Sequence, residues 1–354
     1  MEMRNRFFSK LDFLPRSNLF GSIPRQLAAG RFILIFAVAF LLAVTESGVA
    51  QERVKFPVSA SSKTLGYSPL WVAQKQGFFD RNSLDVQLVL VSGADKAMMA
   101  LVGGSVYVST GGADTVLAAA EQGVDVATIG GIINGLTHYI IGGKKFRNYE
   151  DLRGATIGSS GLTSGTAFVL RRVLQAKGLE YPRDYQLINV GGSPQAFLSL
   201  TSGRIDAAII AVPLSFEAAE MGYNVIGRVV EVIPNYQLTD ITVKKSWAEK
   251  NRPLVVRFMK AMVQSMRWLY DKKEQAIDFL SKEMKLKPEH ARKGWEYYTE
   301  NHIWNPNAEA NIEGMKTVIQ IYAERTQQKG PLPSPTKYVD HSYAEEALRD
   351  LGKR

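Results

Sequence analysis

The sequence predicts an α/β protein of two lobes, each a mainly parallel sheet flanked by helices, joined by a two-strand hinge and followed by a helical C-terminal tail. Three observations carry this. The chain contains one unit twice, at an offset of 99 residues. Within each unit, short apolar runs alternate with amphipathic ones, the pattern of crossover units in a parallel sheet. Two further extended segments, 138–142 and 238–243, bracket the second copy.

The repeat is ungapped between 85–126 and 184–225, where thirteen of 42 positions are identical, among them Asp85 and Asp184, Gly104 and Gly203, Glu121 and Glu220, and Gly123 and Gly222. Upstream the offset becomes 101, with Val72, Gln74 and Gly77 against Val173, Gln175 and Gly178. In the first copy the pattern reads as strand 54–59, helix 68–76, strand 85–91, helix 94–102, strand 105–110, helix 114–122 and strand 125–130. The second copy follows the same order, with strands 155–159, 185–190 and 205–211 and helices 164–176, 194–201 and 214–221. Beyond residue 240 the period is helical over 247–271, 273–284, 288–299 and 308–327. If 138–142 and 238–243 are the crossings, the first lobe takes 51–140 and 241–345, the second takes 141–240, and 346–354 is a tail. The lysine pairs after these segments, Lys144 with Lys145 and Lys244 with Lys245, read as solvated faces.

Composition bounds the rest. The chain has 354 residues, 45% hydrophobic and 22% charged, which excludes a disordered or low-complexity protein and suggests about two domains. It has no Cys, so disulfides, thiolate metal sites, a Cys nucleophile and a lipidated N-terminal Cys are all excluded. The four His, at 138, 290, 302 and 341, have no paired ligand spacing. Residues 1–31 carry six basic residues and lead into thirteen apolar residues at 32–44, too few for a membrane span of about 20. With Gly48 and Ala50 at the small-residue positions, residues 1–50 read as a secretion signal cleaved after Ala50. Removing it leaves 37 basic against 31 acidic side chains, a net charge of +6 that is too mild and too mixed for nucleic-acid binding.

Ligands of open parallel sheets sit beyond the carboxyl ends of the strands, so four segments are candidates. Segment 59–69 gathers Ser61, Ser62, Lys63, Thr64 and Tyr67, with Ser68 expected as N-cap and Pro69 at the first helical position. It reads equally as a ligand loop or as a plain hydroxyl-rich loop. Segment 158–166 is the strongest signal. Ser159, Ser160, Thr163, Ser164 and Thr166, with three Gly, precede a helix whose free amides and dipole favour an anion by about 0.3–1 kcal/mol. Capping that helix would need only one of those hydroxyls. Segment 110–114 offers Gly112, where a ligand could approach the backbone, and Asp114, either a ligand acceptor or a helix cap. Segment 211–214 is apolar at Ala211 and Val212, a greasy wall. Asp240 is a further candidate beside the second crossing, and Trp71 reads as core. The Gly-rich loops carry neither a Walker lysine nor a nucleophile elbow, since Thr163 stands where the elbow needs Ser. No acid and base pair, Ser and His couple or metal cluster recurs in the four segments, so no catalysis and no cofactor is expected.

These residues resemble a family, the periplasmic solute-binding proteins of ABC importers in the nitrate, sulfonate and taurine group, relatives of thiamine-precursor-binding proteins. The likeness covers 54–330. It is carried by Gly66, Tyr67, Ser68, Pro69, Leu70, Trp71, Val72 and Ala73, then Gly77, Phe78 and Phe79. Further along come Ala100, Leu101 and Gly104, then Ser109, Thr110 and Gly111 with Asp114, then Asp151, Leu152, Arg153 and Gly154, and last Gly203 with Asp206. The resemblance implies the type II periplasmic-binding-protein fold, a small-molecule ligand caught between the lobes, and delivery to an ABC permease in the inner membrane. It places Ser61, Ser62, Tyr67, Asp114, Ser160, Thr163 and Ser164 near the ligand. The chain departs from alkanesulfonate-binding relatives, which carry an aromatic and an Asp where it has Ala211 and Val212. It departs from pyrimidine-binding relatives, which carry Trp, Asn and His where it has Ser61, Ser62 and Lys63. The expectation is a monomeric binding protein, free in the periplasm, favouring a small organic anion. An enzyme on the same scaffold and a ligand sensor docking on a membrane receptor remain the alternatives.

Overall fold

A computed structural model describes residues 53–91, 93–162 and 164–352. In chain order the first copy of the repeat gives β1 (Val54–Ala60), α1 (Ser68–Lys75), α2 (Phe78–Arg81), β2 (Leu84–Leu90), α3 (Ala94–Val102), β3 (Val108–Gly112), α4 (Ala113–Glu121) and β4 (Val126–Ile133). The second gives β5 (His138–Gly142), β6 (Thr156–Ser159), α5 (Gly165–Ala176), β7 (Gln186–Asn189), α6 (Ser193–Thr201), β8 (Ala207–Ala211), α7 (Leu214–Glu220) and β9 (Asn224–Arg228). Then follow β10 (Thr239–Lys244), α8 (Lys245–Lys250), α9 (Arg252–Asp271), α10 (Lys273–Met284), α11 (Pro288–Glu300), α12 (Ile312–Thr326) and α13 (Ser342–Leu351). The secretion signal expected over 1–50 lies outside the described residues. Among the described residues no helix is long and apolar enough to cross a membrane.

Two five-stranded sheets result, ordered β2-β1-β3-β10-β4 and β7-β6-β8-β5-β9. The orders are the same pattern twice. An offset of 99 carries α3 onto α6 and β3 onto β8 residue for residue. The shared glycines have a backbone reason: Gly104 and Gly203 (φ +78° and +74°), and Gly123 and Gly222 (both +82°), end the corresponding helices in the left-handed region, where a side chain is costly. Strands 138–142 and 239–244 are each the first strand after a crossing. The chain passes between the sheets at 134–137 and at 229–238, and each new strand inserts antiparallel into its sheet, β5 between β8 and β9, β10 between β3 and β4. Helices cover both faces, which is why β4 is buried at all eight positions.

The tail differs from the periodicity reading in two places. The single helix expected over 247–271 is broken at Asn251, because Pro253, in the first turn of α9, has no N–H to continue a helix. The residues assigned to a tail, 346–354, instead lie mostly in α13, whose Tyr343, Ala344, Ala347 and Leu348 are buried and whose Glu346 accepts from Arg252 Nε at 2.7 Å. Helix α9 buries Phe258 against the first sheet, stacked 5.4 Å from Phe56 of β1 and 5.6 Å from Phe79. Helix α12 begins beside both crossings. Asn311 caps it by accepting from Gly314 N at 2.9 Å, donates through Nδ2 to Asn134 O at 3.2 Å, and through its own amide to Gln237 Oε1 at 2.7 Å. From there α12 runs between α4 of the first half and α5 of the second, where its Glu324 pairs with Arg172.

Candidate functional site

A cavity of about 690 Å³ lies beyond the carboxyl ends of both sheets' central strands and is walled by both halves. That volume suits a small solute. The first half brings Ser61, Ser62, Tyr67, Gly112 and Asp114 to it, and the second brings Ser160 and Ser164. Thr163 lies outside the described residues. Val212 is not in the wall: it is 3% exposed, its amide donates to Thr137 O at 2.9 Å, and Ala211 lines the cavity in its place. Strand alternation turns the two neighbours to opposite sides.

The first loop is internally bonded. Ser61 Oγ lies 2.7 Å from the Tyr67 hydroxyl, which also accepts from Thr239 Oγ1 at 3.4 Å. Burial pushes the Tyr67 hydroxyl's pKa up, so it stays a neutral donor or acceptor. Lys63 leaves the group: its ammonium pairs with Glu283 of α10 at 2.6 Å and lies 5.4 Å from the centre of the Trp71 ring. Trp71, 7% exposed, is core. Ser68 is the first helical residue rather than the cap, and its fully buried Oγ has no partner among the described residues. Asp240, also fully buried, stands in β10 outside the cavity wall, where burial raises its carboxyl pKa to about 7.

The second loop does cap its helix. Ser164 Oγ accepts from Ala167 N at 3.2 Å and lies 3.2 Å from Ser160 Oγ. Across from it stands Asp114. The cap position of α4 is Gly112, so Asp114 sits within the first turn, its carboxylate against α5: a Cβ built on Gly165 would lie 2.6 Å from Asp114 Oδ2. The amino end of α5, where an anionic ligand was expected, therefore already faces the protein's own carboxylate. Burial raises the Asp114 pKa, opposed chiefly by the Arg325 guanidinium.

Among the polar wall residues that sequence reasoning missed are His138, Tyr236, Thr239 and Arg325. Burial holds the His138 imidazole pKa down at about 4, so the ring is neutral at neutral pH, and its Nδ1 has no partner among the described residues. Tyr236 is buried, which raises its pKa well above the usual phenol value, and both Asp114 and Arg325 act on it. Arg325 comes from α12, more than 200 residues from Asp114 in sequence, and no local pattern marks it. His138 and Thr239 had a signal, since both begin a strand at a crossing. Among the described residues no group of three or more His, Asp and Glu could hold a metal ion.

The model of the NMT1/THI5-like family matches residues 65–276. The chain belongs to the NMT1/THI5-like family. The match runs from Leu65 into α10 and takes in every strand of both sheets except β1. The chain is 22% identical over 316 residues to the binding protein YtlA of Bacillus subtilis (strain 168), covering 87% of this chain and 93% of YtlA. Its fold is similar to that of the ligand-binding component of an ABC-type import system from Staphylococcus aureus, at 14% identity and TM-score 0.66 over 84% of this chain and 99% of that one. It is also similar to the alkanesulfonate-binding protein SsuA from Xanthomonas axonopodis pv. citri, solved bound to MOPS, at 16% identity and TM-score 0.64 over 82% and 98% of the two chains. The two-lobed fold expected from the repeat is the fold of these structures.

Proposed function

We propose that this NMT1/THI5-like protein is the solute-binding component of an ABC-type importer. It captures a small organic solute between its two halves by hinge closure and delivers it to an inner-membrane permease, carrying out no reaction itself. The observation that carries this is the polar cavity between the sheets, built by both halves and reached by α12, which starts beside the two crossings. Ligand contacts divided between two bodies on short crossings give a closed state that the ligand itself stabilises. The hydroxyls of Ser61, Ser62, Ser160 and Ser164 and the guanidinium of Arg325 support a preference for a solute with an anionic group, as in the sulfonate-binding structure of similar fold. The reading includes export to the periplasm, cleavage after Ala50, and action as a free monomer.

Native mass spectrometry of residues 51–354, purified without denaturation, tests it, followed by thermal shift with sulfonates, carboxylates, nitrate and pyrimidines. A solute at 100 times its Kd adds about 2.7 kcal/mol of stability. The expected result is one retained small mass, or one compound that raises the melting temperature while its close analogues do not, and stimulation of the cognate permease's ATPase by the loaded protein. Turnover of a candidate solute by a clean preparation would overturn the reading in favour of an enzyme.

A further inference from the structure

The two crossings stand between two cavities. Thr137 of the first and Tyr236 of the second line the cleft, whereas Asn134 and Gly135 of the first and Pro234 and Asn235 of the second line a separate cavity of about 490 Å³. Helix α11 divides in the same way, with Tyr298 on the cleft and its neighbour Tyr297 on the second cavity. The loop that follows α11 and the start of α12 complete the wall. A volume of this size suits a small solute, and capture in the cleft makes no use of it.

The wall specifies the chemistry. Among the described residues no Lys or Arg lines this cavity, and its one carboxylate, Glu313, pairs with Lys316 at 2.6 Å. A charged solute would leave water without meeting a counter-charge. Carboxamides stand there instead. Asn301 is anchored through Nδ2, which donates to Tyr297 O at 2.8 Å, and keeps Oδ1 as an acceptor. Asn305 is anchored through Oδ1, which accepts from Asn307 N at 2.8 Å, and keeps Nδ2 as a donor. Both are held before a ligand arrives, so little side-chain freedom is lost on binding. The exposed Asn235 has no side-chain partner among the described residues. His302 follows the end of α11 with a left-handed backbone (φ +50°), a position that suits Gly, yet it places an exposed imidazole in the wall. A hydroxyl group, donor and acceptor at once, answers each of these partners. We propose that this cavity is a second binding site, for a small neutral solute carrying several hydroxyls, a polyol or a monosaccharide, and that its occupancy biases the hinge. The wall includes both crossings, which change shape when the halves move, so a bound solute favours one hinge angle. By linkage it then alters the affinity of the cleft, and a cleft solute alters its affinity by the same factor. The site goes beyond the solute-binding reading, while its effect on the hinge rests on that reading.

Calorimetry on residues 51–354 with D-glucose, D-galactose, D-xylose, D-mannitol and myo-inositol tests the site, with D-glucuronate and D-glucosamine as charged counterparts. One neutral compound is expected to bind at least about tenfold more tightly than the charged rings. His302→Gly and Asn235→Ala should each raise its Kd by about 3- to 10-fold, the loss of one hydrogen bond. Neither change removes a bond that the fold uses, so the melting temperature should stay level or, for His302→Gly, rise. Hydrogen exchange should show the strongest protection in 134–136, 230–235 and 301–305. Because the chain has no Cys, spin labels can be placed uniquely through Met99→Cys on α3 and Leu198→Cys on α6, 71% and 64% exposed in the parent chain. The bound solute should narrow the distribution of distances between them. Absence of binding at millimolar concentration, equal binding of a charged ring, a Kd untouched by both variants, or protection confined to 59–69 and 158–166 overturns the site. Binding with an unchanged distance distribution overturns the effect on the hinge. A solute retained in the cleft in native mass spectrometry upholds the solute-binding reading whichever way these results fall.

Discussion

Strand β3 enters α4 through Gly112, Ala113 and Asp114, while β8, 99 residues later, enters α7 through Ala211, Val212 and Pro213. The two stretches stand at matching places in their sheets, but the Val212–Pro213 peptide is cis and α7 begins two residues later than the offset of 99 would put it. Asp114 turns a carboxylate toward the cavity, whereas Pro213 stands beside α11, 3.5 Å from where a Cβ on Gly294 would lie. The inserted strands differ in the same way. Asp240 of β10 is opposite Gly111, and its counterpart in β5, opposite Ile210, is Tyr139. Duplication has kept the features that the chain path needs, the helix spans and left-handed glycines, and has let the buried chemistry diverge. The first half carries the acids. The second supplies a capped helix end, hydroxyls and an apolar wall.

The tail is attached unequally, and the largest expected effect follows from it. Phe258 of α9 is fully buried between Phe56 and Phe79 of the first half. Phe258→Ala should cost about 3–5 kcal/mol in urea unfolding, through lost burial and the cavity left behind. A loss below about 1 kcal/mol would mean that the tail is peripheral to the first sheet.

The Asp240 and Tyr139 contrast can be broken by pH. Burial raises the Asp240 pKa from 3.8 to about 7, so the folded chain binds this proton more tightly than the unfolded chain does. Stability from this group is present in full below about pH 4 and is lost as pH rises towards 7. Asp240→Asn keeps an acceptor for Thr128 Oγ1 and removes the titration. The variant should match the wild type at pH 4 and exceed it by about 2–4 kcal/mol at pH 8, a difference scaled from the shift at about 1.4 kcal/mol per pH unit. A difference that does not change with pH would place the Asp240 carboxyl in an environment far more polar than its burial implies.

Architecture was legible in the sequence because sheet order follows from the repeat and the repeat survives in backbone-determined residues such as Gly104 and Gly203. The loops at Ser61 and Ser164 were legible for a related reason, since strand ends in such sheets converge on one place. Val212 was misplaced because alternation at a strand end depends on a single residue of register. Arg325 was invisible, because its position depends on how α12 lies between the halves, which no local pattern encodes. The expectation of an anion at α5 overlooked a carboxylate arriving from the other half, again a tertiary fact.

The claim that duplication preserved backbone requirements is tested by Gly104→Ala and Gly203→Ala. Nothing lies within 4 Å of a Cβ built at either position, so only the positive φ resists the substitution. Each should cost about 1–2 kcal/mol, and the two should be equal and additive, being distant in the fold. Unequal costs would mean that the two turns are held by different forces despite their shared geometry.

The smallest effects discriminate between the loops that begin α1 and α5. Ser164 and Ser68 both stand at the start of a helix beyond a strand of their sheet; the sequence suggested Ser68 as a cap, and Ser164 as one of several hydroxyls that could cap. Ser164 Oγ accepts from Ala167 N and so satisfies one of the helix's free amides, whereas the buried Ser68 Oγ has no partner among the described residues. Ser164→Ala should therefore cost about 1 kcal/mol, while Ser68→Ala, which removes an unsatisfied buried hydroxyl, should be neutral or slightly stabilising. The same pair read through binding gives a second contrast, because Ser164 lines the cavity and Ser68 does not. A solute contact at Ser164 makes its variant lose affinity beyond its loss of stability, and Ser68→Ala should leave the Kd where it was. If Ser68→Ala instead destabilises as much as Ser164→Ala, the Ser68 hydroxyl has a partner in solution and the two loops are more alike than their geometry indicates.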